Sequence, residues 1–299
     1  MRKAFFQLHI AVFLAGFTGI LGRLITLNEG LLVWYRVLLS AAALFILRMF
    51  FGSKDYLNKK DLLQILMVGA TIALHWVFFY ASIKYANVSI GLVCFSAIGF
   101  FTAVLNPVMT GKRIDFSELA LGILVIIGIY FIFQFDDQFR TGIILGIISS
   151  VLAAVFTIAN KKLLARIDSV TLTTYELAAG WLVLSALLPF YLKAFPPDHI
   201  IPTWSDFWWL LFLALLCTVL AVNLSMAALK KISPFTVNLT YNLEPVYGIL
   251  MAFVVYHENK YLGEGFYIGF AIILISVIIQ SWRVWKKSKH QALNKSAFT

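Results

Sequence analysis

Charge is the scarcest ingredient of this 299-residue chain. Only 13% of its residues are charged, while 61% are hydrophobic. A soluble protein of this length needs far more charge to cover its surface, so a water-soluble globule is excluded. Cysteine is nearly absent. Cys94 and Cys217 both fall within apolar stretches, which excludes a disulfide framework. No His-x-x-x-His or Cys-x-x-Cys spacing occurs, and no nucleophile stands in connected spacing with a base. Neither a metal centre, a cofactor nor an enzyme active site is expected. Long polar stretches are missing too. The longest, at 52–61, at 193–206 and after Arg283, are loop-sized and leave no soluble domain.

What is present is apolar sequence in runs of about 20 residues, the length that crosses a bilayer as helix. Ten such segments are expected, at 5–27, 30–50, 61–84, 88–110, 116–135, 142–162, 169–192, 206–229, 234–256 and 262–283. The fold class is therefore an all-α integral membrane protein with ten transmembrane helices. Arg2 and Lys3 precede the first segment as in a signal peptide. Its apolar run is too long for one, however, and lacks a clear small-x-small cleavage site.

The basic residues set the orientation. With alternating loops, Arg23, Lys84, Arg140, Lys193 and Lys260 fall on one side, and Arg36 lies within a segment. The other 18 of the 24 Lys and Arg fall on the opposite side. By the positive-inside rule both termini are cytoplasmic, and the expected location is the inner (plasma) membrane of a bacterium. The net charge of +10 then reports topology and contact with anionic lipid, not nucleic-acid binding. Trp204, Trp208, Trp209, Trp282 and Trp285 fall at segment ends, where an indole suits the membrane interface.

The chain resembles itself. At an offset of 146, Ala81 meets Ala227, Lys84 meets Lys230 and Glu118 meets Glu264. Nearer the start of each half the offset is 140, pairing Tyr35 with Tyr175 and Arg36 with Glu176. Each half carries five segments. Because five is odd, the second half must enter the membrane from the opposite side, giving an inverted repeat of the kind common in secondary transporters. The expected division is 1–138, 139–285 and a basic cytoplasmic tail, 286–299.

Ten segments in two halves, the "WYR" that opens the second segment and carries Arg36, the "LEP" of the ninth and the "HENKYLGEGFYIGFAIILISVII" after it resemble the EamA branch of the drug/metabolite transporter superfamily. The second-half pattern of that family is matched by Pro245, Glu258 and Gly269. The first half departs from it, with Ile98-Gly99 in place of Glu-Pro and Lys112 in place of the loop acid. The resemblance implies export or uptake of a small metabolite such as an amino acid.

Glu244 is the eleventh residue of the segment 234–256, close to the bilayer midplane. Plotted at 3.6 residues per turn, it shares an arc with Asn238, Thr240, Tyr241 and Gly248, while Ile249, Phe253, Val246 and Leu250 fill the opposite arc. Asn242 sits at the edge between the two. An acid facing lipid at that depth costs several kcal/mol, so Glu244 is expected to face a wet cavity, with Pro245 loosening the backbone as a hinge. Proton coupling at Glu244 is one expected role, and a structural hydrogen bond to a neighbouring helix is the other. In the third segment Thr71, His75, Phe78, Phe79 and Ser82 share a stripe, with Trp76 and Tyr80 beside it. Aromatic rings with polar tips suit an amphipathic organic substrate. Arg36 could bind a substrate carboxylate, pair with Glu176 or hold its helix structurally. Tyr175 adjoins Glu176 on the pathway. Gly142/Gly146 and Gly265/Gly269 permit close helix contacts. A transporter of small organic molecules is the leading reading. The alternatives are a flippase for lipid-linked substrates, which would open its cavity sideways to lipid, and a membrane-embedded enzyme, which lacks the side chains it would need. Alkaline phosphatase fused after Thr299 is expected to be inactive, and a fluorescent protein there to glow. An active phosphatase would overturn the orientation.

Overall fold

The computed structural model describes residues 2–51, 57–111, 113–135, 137–241 and 243–296. Lys112 and Asn242 lie outside the described residues, as does the side chain of Trp285. The described chain is built from helices: α1 (Arg2–Leu24), α2 (Glu29–Phe51), α3 (Lys59–Tyr85), α4 (Val88–Phe95), α5 (Ile98–Thr110), α6 (Phe116–Phe135), α7 (Arg140–Leu163), α8 (Ser169–Ala194), α9 (Trp204–Ala214), α10 (Ala221–Leu229), α11 (Pro234–Tyr241), α12 (Glu244–Tyr256) and α13 (Glu264–Ser296). Their starts follow local chemistry. Asn58, Asn87 and Asp168 accept hydrogen bonds from first-turn amides of α3, α4 and α8, and Thr203 with Asp206 forms a capping box on α9. Among the described residues, seven helical stretches are long and apolar enough to cross a membrane. Three shorter apolar helices run Phe116–Ile132, Glu244–Tyr256 and Glu264–Ile279. Trp204 and Trp208 are exposed in the first turns of α9, and Trp282 is exposed within α13, which runs on past it.

Three expected helices are not regular. The segment 88–110 is interrupted between α4 and α5, where Ala97 N–H donates to the Cys94 carbonyl. The segment 234–256 is interrupted between α11 and α12, where Leu243 N–H donates to the Thr240 carbonyl. Both are three-residue closures in place of the four-residue helical step, and they lie 146 positions apart. The segment 206–229 stays helical but widens into a π turn at Leu215–Leu220 between α9 and α10. Pro245 therefore does not kink a continuous helix. It stands in the first turn of α12, where a missing N–H costs nothing. The basic tail is helical through most of its length. α13 continues to Ser296, through a sequence rich in the good helix formers Lys, Gln, Ala and Leu.

Packing follows a repeated plan. α3 lies against α7 and α8; α2 lies against α8 and α9; α1 lies against α10 and α12; α6 pairs with α13; and α4 and α5 contact α12 and α11 respectively. Small residues set the closest approaches, because in lipid helices associate through packing rather than hydrophobic exclusion. At the α6–α13 crossing a Cβ on Gly269 would stand 2.2 Å from the Gly128 carbonyl oxygen, and one on Gly128 would stand 2.7 Å from the Gly269 carbonyl oxygen. Gly269→Ala is expected to lower thermal stability in detergent by about 1–3 kcal/mol, the usual range for overpacking. Val254→Ala, at a side chain 76% exposed, should stay within about 0.5 kcal/mol. Equal melting temperatures for the two variants would show that the crossing is looser than this.

Candidate functional site

The two interruptions and the π turn open onto one cavity of about 110 Å³. Its wall includes Phe95 and Ile98 at the first interruption, Tyr241 and Glu244 at the second, and Cys217 in the π turn. Backbone that departs from helix is tolerated at membrane depth only where protein or a cavity surrounds it, and each departure here meets that condition.

Arg36 enters the cavity from α2. It is 2% exposed and held on three sides. Its Nε donates to Thr218 Oγ1 at 2.7 Å, its Nη1 donates to the Tyr80 hydroxyl at 2.7 Å, and its guanidinium lies 4.0 Å from the Trp76 ring centroid. Thr218 is free to accept because its own hydroxyl donates to the Leu213 carbonyl, five residues back, inside the π turn. The widened turn thus builds the seat for the arginine. Glu244, also buried, is the first residue of α12, where the positive end of the helix favours an acid. Thr18 of α1 donates to its Oε1 at 3.5 Å. Asn238 of α11 donates through Nδ2 to Thr102 Oγ1 of α5 at 2.8 Å, tying the two interrupted segments together beside the cavity.

His75 of α3 presents its ring to the cavity. Its Nδ1 lies 2.9 Å from the Ser149 carbonyl oxygen and 2.8 Å from Ser149 Oγ; with that hydroxyl donating to the His75 carbonyl at 3.1 Å, both neighbours accept from Nδ1–H and Nε2 is left as an acceptor. Among the described residues Nε2 has no hydrogen-bond partner. Phe95 and Phe156 stand 5.4 and 5.5 Å from the imidazole, measured between ring centroids.

Of the residues singled out in the sequence, Glu244, Asn238, Tyr241, His75, Trp76 and Arg36 line this cavity. Tyr80 stands behind Arg36 as its hydroxyl partner. Tyr175 is elsewhere, with its ring 4.7 Å from the Arg48 guanidinium and 6.3 Å from Phe45. Glu176 is fully buried behind the wall, and among the described residues no ion pair joins it to Arg36. Its partner is Asn160 Nδ2, at 3.4 Å. Of the stripe on α3, Phe79 lines the cavity, whereas Thr71 and Ser82 bond to the carbonyls of Met67 and Gly142. Sequence reasoning missed Thr18, Thr102, Thr218 and Asn160. Each is a small polar residue in an apolar helix, a weak signal until its partner is known.

Charge-assisted contacts close both ends of the bundle. At one end Arg23 bonds Glu258 at 2.6 Å, and Glu258 also accepts from Val88 N, Ser89 N and the Ser89 hydroxyl, capping α4. Lys84 donates there to the carbonyls of Ile25 and Leu27. At the other end Lys161 donates to the carbonyls of Leu229, Lys230 and Ile232, and Lys162 donates to that of Met109. Lys230 pairs there with Asp168, and Arg166 with Asp61.

Comparison with known proteins agrees with this architecture. A solved crystal structure superposes on 96% of this chain, and over 99% of its own, with a TM-score of 0.68 at 15% identity, which establishes a shared fold. Two proteins of Archaeoglobus fulgidus, each described as an uncharacterized transporter, are 26% identical over 140 residues and 24% identical over 203 residues. These matches cover 46% and 63% of this chain, and 51% and 65% of the relatives, so the chain matches about half to just under two thirds of their length. The EamA-like transporter family matches twice in tandem, at residues 2–134 and 140–282, and the chain belongs to that family as a multi-pass membrane protein.

Proposed function

We propose that the protein is a secondary transporter that carries a small organic metabolite, amino-acid-like in class, through this cavity by alternating access. The observation that carries the reading is the cavity itself. A cation, Arg36, an acid, Glu244, an imidazole and an amide converge where two helices break, and aromatic rings complete the wall. Breaks in corresponding segments of two halves are where such transporters build their sites. The start of α5 at Ile98 adds the positive end of a second half-helix, here without an acid. A ligand with a carboxylate and an amine suits Arg36 on one side and Glu244 on the other.

The same reading takes the chain across the bilayer ten times, as five-helix halves 1–138 and 139–285 of opposite orientation, with a basic tail following. Four features support it. The interruptions lie 146 residues apart. Lys84 reaches the loop after α1, and Lys230 the loop after α7. The packing of α3 on α7 has its counterpart in α10 on α1, and that of α3 on α8 in α9 on α2. Two family matches divide the chain at the same place. The reading also takes both termini as cytoplasmic and the membrane as a bacterial inner membrane, and the positive-inside excess supports that orientation.

Glu244 is the coupling carboxyl in this scheme, taking up a proton in one access state and releasing it in the other. Glu244→Gln keeps shape and hydrogen bonding but cannot ionise. A thermal-shift screen of amino acids, purines and aromatic metabolites supplies the probe, and flux is then measured in liposomes. The variant is expected to express normally and to exchange solute. Flux driven by a proton gradient should fall roughly 5- to 150-fold, the span of typical coupling energies. Wild-type flux with wild-type pH dependence in Glu244→Gln would end the proposal for this residue. Liposomes that move none of the screened solutes would count against the substrate class.

A further inference from the structure

Behind the cavity wall lies a second carboxyl that the transport scheme above does not use. Glu176 of α8 is 0% exposed, as is Asn160 of α7, whose amide lines the cavity. Among the described residues, Glu176 has one hydrogen bond, the long one from Asn160 Nδ2 to Oε2, at 3.4 Å. Glu176 Oε1 and Asn160 Oδ1 are both without a partner, and so is the hydroxyl of Thr173, one helical turn away on α8. Turning the amide round changes which atom is unpaired and leaves the deficit in place. Buried polar atoms in proteins are almost always bonded, so three orphans beside one carboxyl call for something that binds there.

No fixed charge answers Glu176. From α2, Arg36 is engaged by Thr218 and Tyr80, and Arg48 lies over Tyr175. From α3, His75 bonds Ser149, and Asp61 pairs with Arg166. From α7, Lys161 and Lys162 donate to backbone carbonyls, and α10 contributes no ionisable side chain. A bare carboxylate here would be an uncompensated charge at membrane depth. A metal ion fits poorly. Both helices are continuous at this point, so their carbonyls are already engaged, and the few side-chain oxygens fall short of the six or more that hard cations take. A proton needs only one oxygen.

We infer that Glu176 and Asn160 form a second proton-binding site, set behind the cavity wall and linked to cavity occupancy through the Asn160 amide. This inference rests on the transport reading of the cavity. Among the described residues, the Asn160 amide is the sole donor to Glu176; one of its two N–H bonds reaches Oε2 at 3.4 Å and the group also reaches Met226 Sδ at 3.8 Å. A ligand that rotates the whole amide into the cavity removes the donor from Glu176 and favours the protonated acid. By reciprocity, protonating Glu176 frees the amide for the ligand, so proton and ligand bind with mutual help. On release the O–H bond breaks, its electrons stay on the carboxylate, and the proton passes to water in the cavity.

The test uses the full chain in liposomes and begins without any ligand. Infrared difference spectra are taken across a pH series for the wild type, Glu176→Gln, Glu244→Gln and Asn160→Leu. The expected result is a titrating carboxylic band that Glu176→Gln lacks and Glu244→Gln keeps. In Asn160→Leu, where Glu176 is untouched, the band should persist to more alkaline pH. A band that Glu176→Gln leaves unchanged, or a Glu176 band that never titrates, overturns the inference. So does a band abolished by added sodium chloride, which would assign the site to sodium. Where a probe solute is transported, Glu176→Gln should lose at least about tenfold in gradient-driven flux while keeping exchange. If the liposomes move no solute, the transport reading fails, and the infrared titration still decides proton binding at Glu176.

Discussion

A peptide backbone in hydrocarbon must bond to itself, and the rest of this structure depends on that requirement. It makes every long apolar segment a helix and leaves irregular backbone as a scarce feature. The described chain departs from the α-helical ladder within its apolar segments at three main places: after Phe95, after Tyr241 and through Leu215–Leu220. All three face the same cavity. Each departure exposes something a regular helix would hide. The π turn frees Thr218 to hold Arg36, and the breaks bring the starts of α5 and α12 to the wall. Fold and site are thus one construction, since the only backbone that can escape the ladder is the backbone that lines the cavity.

The two half-helix starts are unequal in charge. α12 begins with Glu244, so its positive end already has an acid, whereas α5 begins with Ile98 and has none. Arg36 stands in the same wall, fixed by a hydroxyl at 2.7 Å on each of two nitrogens and stacked on Trp76. A largely apolar cavity with such unequal polar corners would impose a direction on any ligand that carries both signs of charge. This asymmetry came from the departure of the first half from the second, at Ile98-Gly99 against Glu244-Pro245. It makes the two sides of the cavity chemically unlike.

The membrane-embedded helical fold was legible because hydropathy is a property of whole segments, and the family because its short motifs keep their order. Glu244 stood out because an acid at that depth is costly anywhere except a cavity. The interruption after Phe95 was not legible. It holds no proline, and Ser96 and Ala97 are ordinary helix residues, so the closure from Ala97 to Cys94 is imposed by packing rather than by local preference. The π turn was hidden for the same reason, since LLCTVL reads as regular helix. Pairing was the other gap. Arg36 and Glu176 align at offset 140, yet Arg36 is held by Thr218 and Tyr80, and Glu176 faces Asn160 instead. Partners depend on helix rotation, and a few tens of degrees of rotation change them without altering any sequence pattern.

The alternating access proposed above would require some contacts to hold and others to part, and the chemistry divides them. The α6–α13 crossing, with a glycine facing a glycine carbonyl on each side, is apolar and closely fitted. It gains nothing from water and should move as a unit. The two ends are closed by Arg23 on Glu258 and by Lys161 and Lys162 on helix-end carbonyls, where Arg23 and Lys162 reach solvent. Water can replace such donors at modest cost, so these contacts can exchange between states. Glu258 is the exception, because it is buried and accepts from two amides and a hydroxyl besides Arg23. Opening that end by pulling Glu258 off α4 would strand three donors. The less costly route keeps Glu258 on α4 and releases Arg23, so that α4 and the loop after α12 move together and α1 swings away from them.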